Sequence, residues 1–399
     1  MPGSGRSYYV VGAGIAGLTL ALALAKFGAH VVVLERSPFP SEFGAGLQIS
    51  PNARHVLDGL GLNDALTSHG LEPTGIDIYP GVRSHPLVTL QLGSAMRDAF
   101  GAPYAVMHRA DLADALYKAC RRFANIDMLF GVRTWQAVSE GAGVAVTLEQ
   151  ADGQARHGRA AALIGADGVH SHTRTQVLDG PPARYDGRVA WRTLLPFDAM
   201  AGQVALDRVS VFFAAGHHMV CYPLPHRRQV NLALFARGPS EQSAGIRLVQ
   251  PRTARRGARL GVIMAAAGDS WTPWPLFTVQ TPHWHRGNIG LIGDAAHAMA
   301  PFQAQGTAMG IEDAAVLAPL LIGCPDAETA FTRYTALRRS RVARVAKLSR
   351  NNGRVFHLPW PLSTARNLVI AAQGSRAHLR RLDWLYGYKA DGTTEQDWS

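Results

Sequence analysis

Gly12-Ala13-Gly14-Ile15-Ala16-Gly17 forms a GxGxxG run between an apolar stretch, "YYVV", and an Ala/Leu-rich one. In such a run the first glycine makes a tight turn and the second lets backbone approach a pyrophosphate. The third lets a helix pack closely on a strand. Glu35, followed by Arg36, closes the next apolar stretch. A carboxylate there accepts from both ribose hydroxyls and repels a 2′-phosphate. This is dinucleotide chemistry. Far downstream, "IGLIGDAAH" reads as a second strand-to-turn transition, now with an acid, Asp294, at the turn. Pro301 then introduces a bend, and Gln305-Gly306-Thr307-Ala308-Met309 supplies the free N–H groups of a helix start. Asp294 suits the hydroxyls of a polyol chain, and a helix N-terminus suits negative charge developing on a ring edge. NAD would leave the second turn without a role, whereas one long cofactor held at both ends, FAD, uses both.

A third group lies in "GHHMVCYPLP". On an extended strand His218 and Tyr222 share a face and His217 points the other way. His218, as a base or an anchor, and Tyr222 beside it are catalytic candidates, and Gln305 joins them. Two plainer readings stand beside this one: both histidines lie in an exposed loop, and Tyr222 packs under Pro223. His108 and His297 read as structural. Arg192 could meet a carboxylate or the phosphates of a nicotinamide cofactor, or sit in a structural ion pair. Cys120, Cys221 and Cys324 are far apart and form no CxxC pair, so no disulfide framework, redox dithiol or metal site is expected.

The elements that must position these residues begin with a strand over Tyr8–Val11, a helix over Leu18–Phe27 and a strand over His30–Leu34. That βαβ unit implies a parallel sheet. "SPNARHVLDGLGLNDAL" reads as helix from a Ser-Pro-Asn cap, and "RADLADALYKACRRF" as another. Residues 75–92 and 187–237 alternate like an antiparallel sheet with one wet face. Short strands are expected near 127–129 and 144–148, and "AALIGADG" and "IGLIGDAA" look like strands returning to the first sheet. The chain after Ile311 reads as mostly helical. The fold class is therefore mixed α/β: a Rossmann-like FAD-binding domain, an inserted antiparallel substrate domain and C-terminal helices. The expected division is FAD-binding domain 1–74, 99–180 and 281–340, substrate domain 75–98 and 181–280, and a helical region 341–399.

Composition narrows the class. A chain of 399 residues with 47% hydrophobic and 17% charged residues can bury a sizeable core. The formal charge of +11 invites a nucleic-acid reading, but the positive residues are mostly arginines scattered along the chain. Their densest cluster, "RRSRVARVAKLSR", has helical spacing and reads as a solvated helix face, so no nucleic-acid partner is expected. No apolar run long enough to span a membrane stands out, and the mature fold starts at once, so a cytoplasmic address is expected.

Several ordered motifs carry a resemblance that covers most of the chain: "VVGAGIAGLTLALAL", "GAGLQISPNARHVLDGLGL", "HRADLADAL", "GADGVHSHTR", "GNIGLIGDAAHAMAPFQAQGTAMGIEDA" and "RRLDWLYGY". With these the sequence resembles the single-component FAD-dependent aromatic hydroxylases, the p-hydroxybenzoate hydroxylase group, and most closely their salicylate hydroxylase and 6-hydroxynicotinate 3-monooxygenase type. The resemblance implies FAD, NADH or NADPH as cosubstrate with NADH preferred, O2, and a C4a-hydroperoxyflavin. The substrate it implies is a small hydroxylated aromatic or heteroaromatic acid, hydroxylated with or without loss of its carboxylate. It further implies that Arg109 contacts the phosphate–ribose region, that Asp167 is linked to FAD and pyridine nucleotide, and that Gln48 lies near the flavin. Such an enzyme would be a monomer or homodimer. The segment between Phe235 and Trp274 is Arg- and Ala-rich and lacks the aromatics expected there. Competing classes are an NAD-dependent dehydrogenase, another FAD enzyme such as a halogenase or disulfide reductase, and a non-catalytic flavin-binding protein.

Overall fold

The computed structural model describes residues 5–39, 46–80, 85–150, 153–239 and 259–390. The strand Ser7–Val11 sits at the centre of a six-stranded sheet. Its parallel neighbours are His30–Leu34 and Ala162–Gly165, with Val10 in register with Val33 on one side and Ile164 on the other. Ile126–Leu129 extends one edge, and Ile289–Leu291 followed by antiparallel His285–Arg286 extends the other. Gly12 turns at φ +104°, and a Cβ there would stand 2.5 Å from Ala166 O; one on Gly17 would stand 2.0 Å from Gly12 O. Only glycine fits either place. The helix that follows, Ile15–Lys26, is apolar on nearly every side because it is buried on nearly every side. Helices Arg109–Cys120 and Gly306–Gly323 pack over it.

A seven-stranded sheet forms the second unit. Its order is Thr272–Thr278, Arg184–Pro196, Gln229–Arg237, His217–Leu224, Arg208–Ala214, Gly75–Pro80, Val88–Gln91. All pairs are antiparallel except Gly75–Pro80 with Arg208–Ala214. The expected wet face is a correction. Trp191, Phe212, Met219, Cys221, Leu232 and Leu234 form a separate core with the helix Arg259–Ala267. The opposite face looks across a cleft towards the first sheet.

Other departures have local causes. The helix read from "SPNARHVLDGLGLNDAL" is two short ones, Pro51–Gly59 and Asn63–His69, separated at Gly61 with φ +88°. Val132–Glu140, Gly143–Gln150 and Ala155–Ala160 form a three-stranded antiparallel sheet of which sequence patterns suggest only the middle strand. Two members of the arginine cluster leave the solvated face entirely. Arg338 and Arg341 are buried in the helix Ala327–Phe356 and grip two buried acids of the helix Gly306–Gly323. Arg338 bonds Glu312 at 2.5 Å and Asp313 at 2.8 Å, and Arg341 bonds Glu312 at 2.7 Å. Asn52 adds a bond to Glu312 at 2.6 Å. Burial alone would raise the Asp313 carboxyl, but His297, Arg338 and the Gly293 N–H hold it below the usual range. The helix Gly306–Gly323 is also long and apolar enough to cross a membrane by length and composition, as a buried core helix can be, and two thirds of it is buried in this fold.

Candidate active site

A cleft of about 2300 Å³ runs between the two sheets. That exceeds the usual span of roughly 300–1,000 Å³ for a drug-sized ligand, so it has room for a large cofactor and a second molecule. On the side of the six-stranded sheet it is lined by Gly12, Ala13, Gly14, Ile15, Ala16, Glu35 and Arg36, then by Gln48, Arg109, Asp167, Asp294, Pro301, Gly306 and Thr307. Three features of this wall fit FAD. The helix Ile15–Lys26 begins at Gly14 with no side-chain cap and no acid in its first turn, leaving its N–H groups for phosphate. The helix Gly306–Gly323 begins in the same way, uncapped, at the far end. Between them Asp294 is exposed to the cleft and makes no hydrogen bond or ion pair with the described residues.

The remaining residues of this wall are already engaged. Glu35 accepts from Ala13 N and Ser37 N, each at 2.8 Å, which fixes its carboxylate at the strand end. Asp167 accepts from Ser171 Oγ at 2.6 Å and from Thr173 N and Oγ1 at 2.9 Å, so it shapes its own loop while facing the cleft. Gln48 accepts a short hydrogen bond from Tyr104. Gly17 lies beneath the wall. Ala308 and Met309 also fall outside the lining, and the Met309 N–H is spent on Gln305 O at 2.9 Å, so it is not a free donor. Gln305 needs the largest correction. Its side chain is buried away from the cleft, donating to Ser50 Oγ at 2.9 Å and accepting from Asn52 Nδ2 at 3.1 Å. It braces the helix start, which removes it from the catalytic candidates.

The opposite wall is the seven-stranded sheet, and its register sets out three rows. His218 pairs across to Phe235 and Ala190; Val220 to Ala233 and Arg192; Tyr222 to Asn231 and Leu194. His218, Arg192 and Tyr222 all line the cleft on three successive rows spaced about 7 Å along the strands, with Arg192 two strands away from the strand that carries the other two. His217 points the other way, its Nδ1 bonded to Ala215 O at 3.1 Å. Among the described residues, Arg192 is the one permanently charged side chain this sheet gives the cleft lining. It has no ion-pair partner there, its Nε is buried without a hydrogen bond, and it lies 5.9 Å from the Trp274 ring centre. The structural ion pair is thereby removed from its open readings.

Burial pushes the Tyr222 hydroxyl well up, more than the nearby Arg192 lowers it, so Tyr222 stays a neutral donor. The ring leaves no space beyond Gly46, where a Cβ would meet it at 2.4 Å. Gly46 N in turn donates to Asn231 Oδ1 at 2.9 Å. His218 is stacked on Phe235 with ring centres 4.7 Å apart and edge-on to Phe302 and Phe356. Burial, then the charges of His357, His217 and Arg188, hold it far below the usual histidine range, so it stands neutral. His297 and His108 are structural: His297 bonds Asp313 at 2.6 Å, and His108 Nδ1 accepts from Ala110 N at 3.1 Å. Tyr104, Asn231 and Trp274 carry no local motif and escape sequence reasoning, and Gly46, inside the "GAGLQISPN" run, is not singled out by it. Part of the atypical segment, residues 240–258, lies outside the described residues.

Comparison with known proteins agrees with this geometry. A family model described as an FAD binding domain matches residues 7–349. The chain is 33% identical to a 3-hydroxybenzoate 6-hydroxylase of Aquipseudomonas alcaligenes, covering 95% of this chain and 96% of that one. It is 34% identical to a 3-amino-4-hydroxybenzoate 2-monooxygenase of Streptomyces cremeus, covering 96% and 95%. In fold it is similar to Klebsiella pneumoniae HpxO complexed with FAD and uric acid, with a TM-score of 0.77 at 24% identity over 94% of this chain and 95% of that one. The chain belongs to the FAD-binding-domain family and is an FAD-dependent aromatic-ring monooxygenase with NAD(P)H as cosubstrate.

Proposed function

We propose that the substrate is a small hydroxylated aromatic or heteroaromatic acid whose carboxylate rests on Arg192 and whose ring hydroxyl faces His218. One observation carries the reading: a half-buried arginine without an acid partner among the described residues, one row and two strands from a neutral histidine, on the wall opposite the flavin site. A cation in such a place is costly unless an anion arrives to meet it. The named relatives act on 3-hydroxybenzoate and 3-amino-4-hydroxybenzoate, both hydroxylated acids.

Gly12–Ala16, Glu35, Arg36, Arg109, Asp294, Pro301 and the helix start at Gly306 would hold FAD, whose chemistry, once bound, would be oxygen activation with electrons from NAD(P)H. The rest is the work of this chain's residues. Arg192 and Tyr222 fix the acid and aim the ring. His218, neutral, accepts the ring hydroxyl's proton at its free ring nitrogen and so enriches the ring for attack. Phe213, Phe235, Phe302 and Trp274 keep the cleft apolar, which suits a reaction that water would divert. The single GxGxxG fingerprint goes to FAD, leaving NAD(P)H to visit transiently; NADH is our choice of donor. The proposal also places a monomer or homodimer in the cytoplasm.

The test is NADH and NADPH consumption against a panel of hydroxybenzoates and hydroxypyridine carboxylates, with the same rings lacking the carboxylate as controls. Product masses separate hydroxylation with the carboxylate kept from hydroxylation with its loss. Equal activity on the uncharged controls refutes the Arg192 reading.

A further inference from the structure

A neutral histidine buried among phenylalanines cannot keep a proton. If His218 takes one from a substrate, the charge lies beside Phe235, Phe302 and Phe356, with no carboxylate in contact among the described residues. The proton must move on in the same event. Among the described residues one exit is in hydrogen-bond reach. His218 Nδ1 is 2.7 Å from His357 Nε2, a hydrogen bond between two imidazoles. His218 lines the cleft, whereas His357 does not. His357 stands behind it, half-buried, just past the helix Ala327–Phe356, and its carbonyl is tied to Gly216 N at 3.2 Å. Two sequence-distant elements thus meet so that one ring faces the cleft and the next approaches the surface.

Resting on the substrate reading above, we propose that His357 is the outlet of a two-histidine proton path between the substrate hydroxyl and bulk water. The step balances as follows. The substrate O–H bond breaks and an N–H bond forms at His218 Nε2. The His218 Nδ1–H bond breaks as one forms at His357 Nε2, and His357 Nδ1–H is given up to water. The net change is one proton moved from a ring hydroxyl to solvent, and the reverse passage restores it after hydroxylation.

The surroundings favour transit over storage. The charged and titratable groups that act on His357 are Arg188 and Arg237 from two strands, His217 from a third, and Arg366 from the C-terminal helix Leu362–Arg380. Arg188 is paired to Asp186 at 2.8 Å, and Arg366 is satisfied by the carbonyls of Val355 and Phe356 and by Asn367. Burial first, then these positive neighbours, lowers His357 to about 4, so a proton arriving there departs. His357 touches the reacting atoms only through His218, which makes it a positioning and relay residue.

The experiment uses the FAD-loaded enzyme and a nitro-substituted hydroxybenzoate whose phenolate is coloured, mixed by stopped flow. In His357→Gln, which keeps a hydrogen-bonding group but cannot pass a proton through itself, the probe binds with unchanged affinity. Its phenolate forms more slowly by about a hundredfold or more, the low end of what proton transfer by a positioned group contributes. In His357→Ala, added imidazole restores the rate. Unchanged phenolate formation in His357→Gln overturns the outlet, and so does a slowed His357→Ala that imidazole leaves slow. Should His357→Ala lose its flavin or its fold, His357→Gln decides by its solvent deuterium effect: an effect unchanged from wild type also overturns it. A wild-type enzyme that binds the probe without forming phenolate refutes the substrate reading itself, a separate result.

Discussion

The two walls of the cleft are made of different materials. The wall towards the six-stranded sheet works through backbone: an uncapped helix start at Gly14, a second at Gln305, and turns at Gly12 and Gly293. The wall formed by the seven-stranded sheet works through side chains at alternate positions of separate strands, with Arg192, His218 and Tyr222 as its polar members beside Asn231. A backbone site tolerates few changes of glycine but makes modest demands on its other residues. A side-chain site can change its ligand by one substitution without disturbing the strand. The first wall suits a cofactor common to many relatives, and the second suits a substrate that differs among them.

Mutations can break this division in order of severity. Gly12→Val should abolish FAD retention, because the new side chain runs into Ala166 O; absorbance of the purified protein reads the outcome. His218→Ala should lower kcat by roughly 10²–10⁴-fold while leaving FAD content near wild type, and wild-type turnover would refute the base assignment. Asp294→Ala weakens flavin retention in a dialysis assay without the collapse expected at Gly12. Arg192→Gln should cut kcat/KM for an acid substrate by about 1.5–3 kcal/mol, or roughly tenfold to 150-fold, with little change for an uncharged ring. Loss of flavin in that variant would show that the two walls are not separable.

The mildest effect is on pH. His218 and His357 are neutral when folded, with His357 lowered to about 4, but in the unfolded chain they protonate below the ordinary value of 6.5. The unfolded state then binds more protons, so stability falls with pH between 6.5 and 4, by roughly 1 kcal/mol per unit for each histidine at most. Glu312 and Asp313, both held below their ordinary values, act in the same direction only in stronger acid. Their contribution is present above the usual carboxylate range and is lost as the pH falls below it towards their lowered folded values. Urea midpoints measured at several pH values should therefore show two acid limbs, with His357→Gln shallower in the first alone.

The same contrast explains what the amino-acid sequence reveals. Gly12 to Gly17, Glu35 and Asp294 are legible because backbone chemistry needs particular residues at fixed short spacings, next to apolar runs that betray strand and helix. His218 and Tyr222 are suggested by alternation within one strand. Arg192 stays undecided, since only the pairing of Arg184–Pro196 with Gln229–Arg237 sets it between their rows. Gln305 misleads for a related reason: its place in the downstream motif is as suggestive as that of Gly306, and only the buried contacts with Ser50 and Asn52 turn it inward. Arg338 and Arg341 look like surface arginines until the helix Gly306–Gly323 presents its acids to them.

The central sheet is assembled from strands that leave the ribosome at widely separated times. Ser7–Val11 and His30–Leu34 emerge early, Ala162–Gly165 midway, and Ile289–Leu291 only near the end. Both ends of the flavin's seat therefore coexist only once the last third of the polypeptide has been made. In the proposed flavin seat, a nascent or nicked chain ending before Asp294 has the first phosphate turn but lacks both Asp294 and the helix start at Gly306. With the seat so proposed, flavin loading is a late event in the life of this molecule, and the yellow colour reports completed folding as well as cofactor supply.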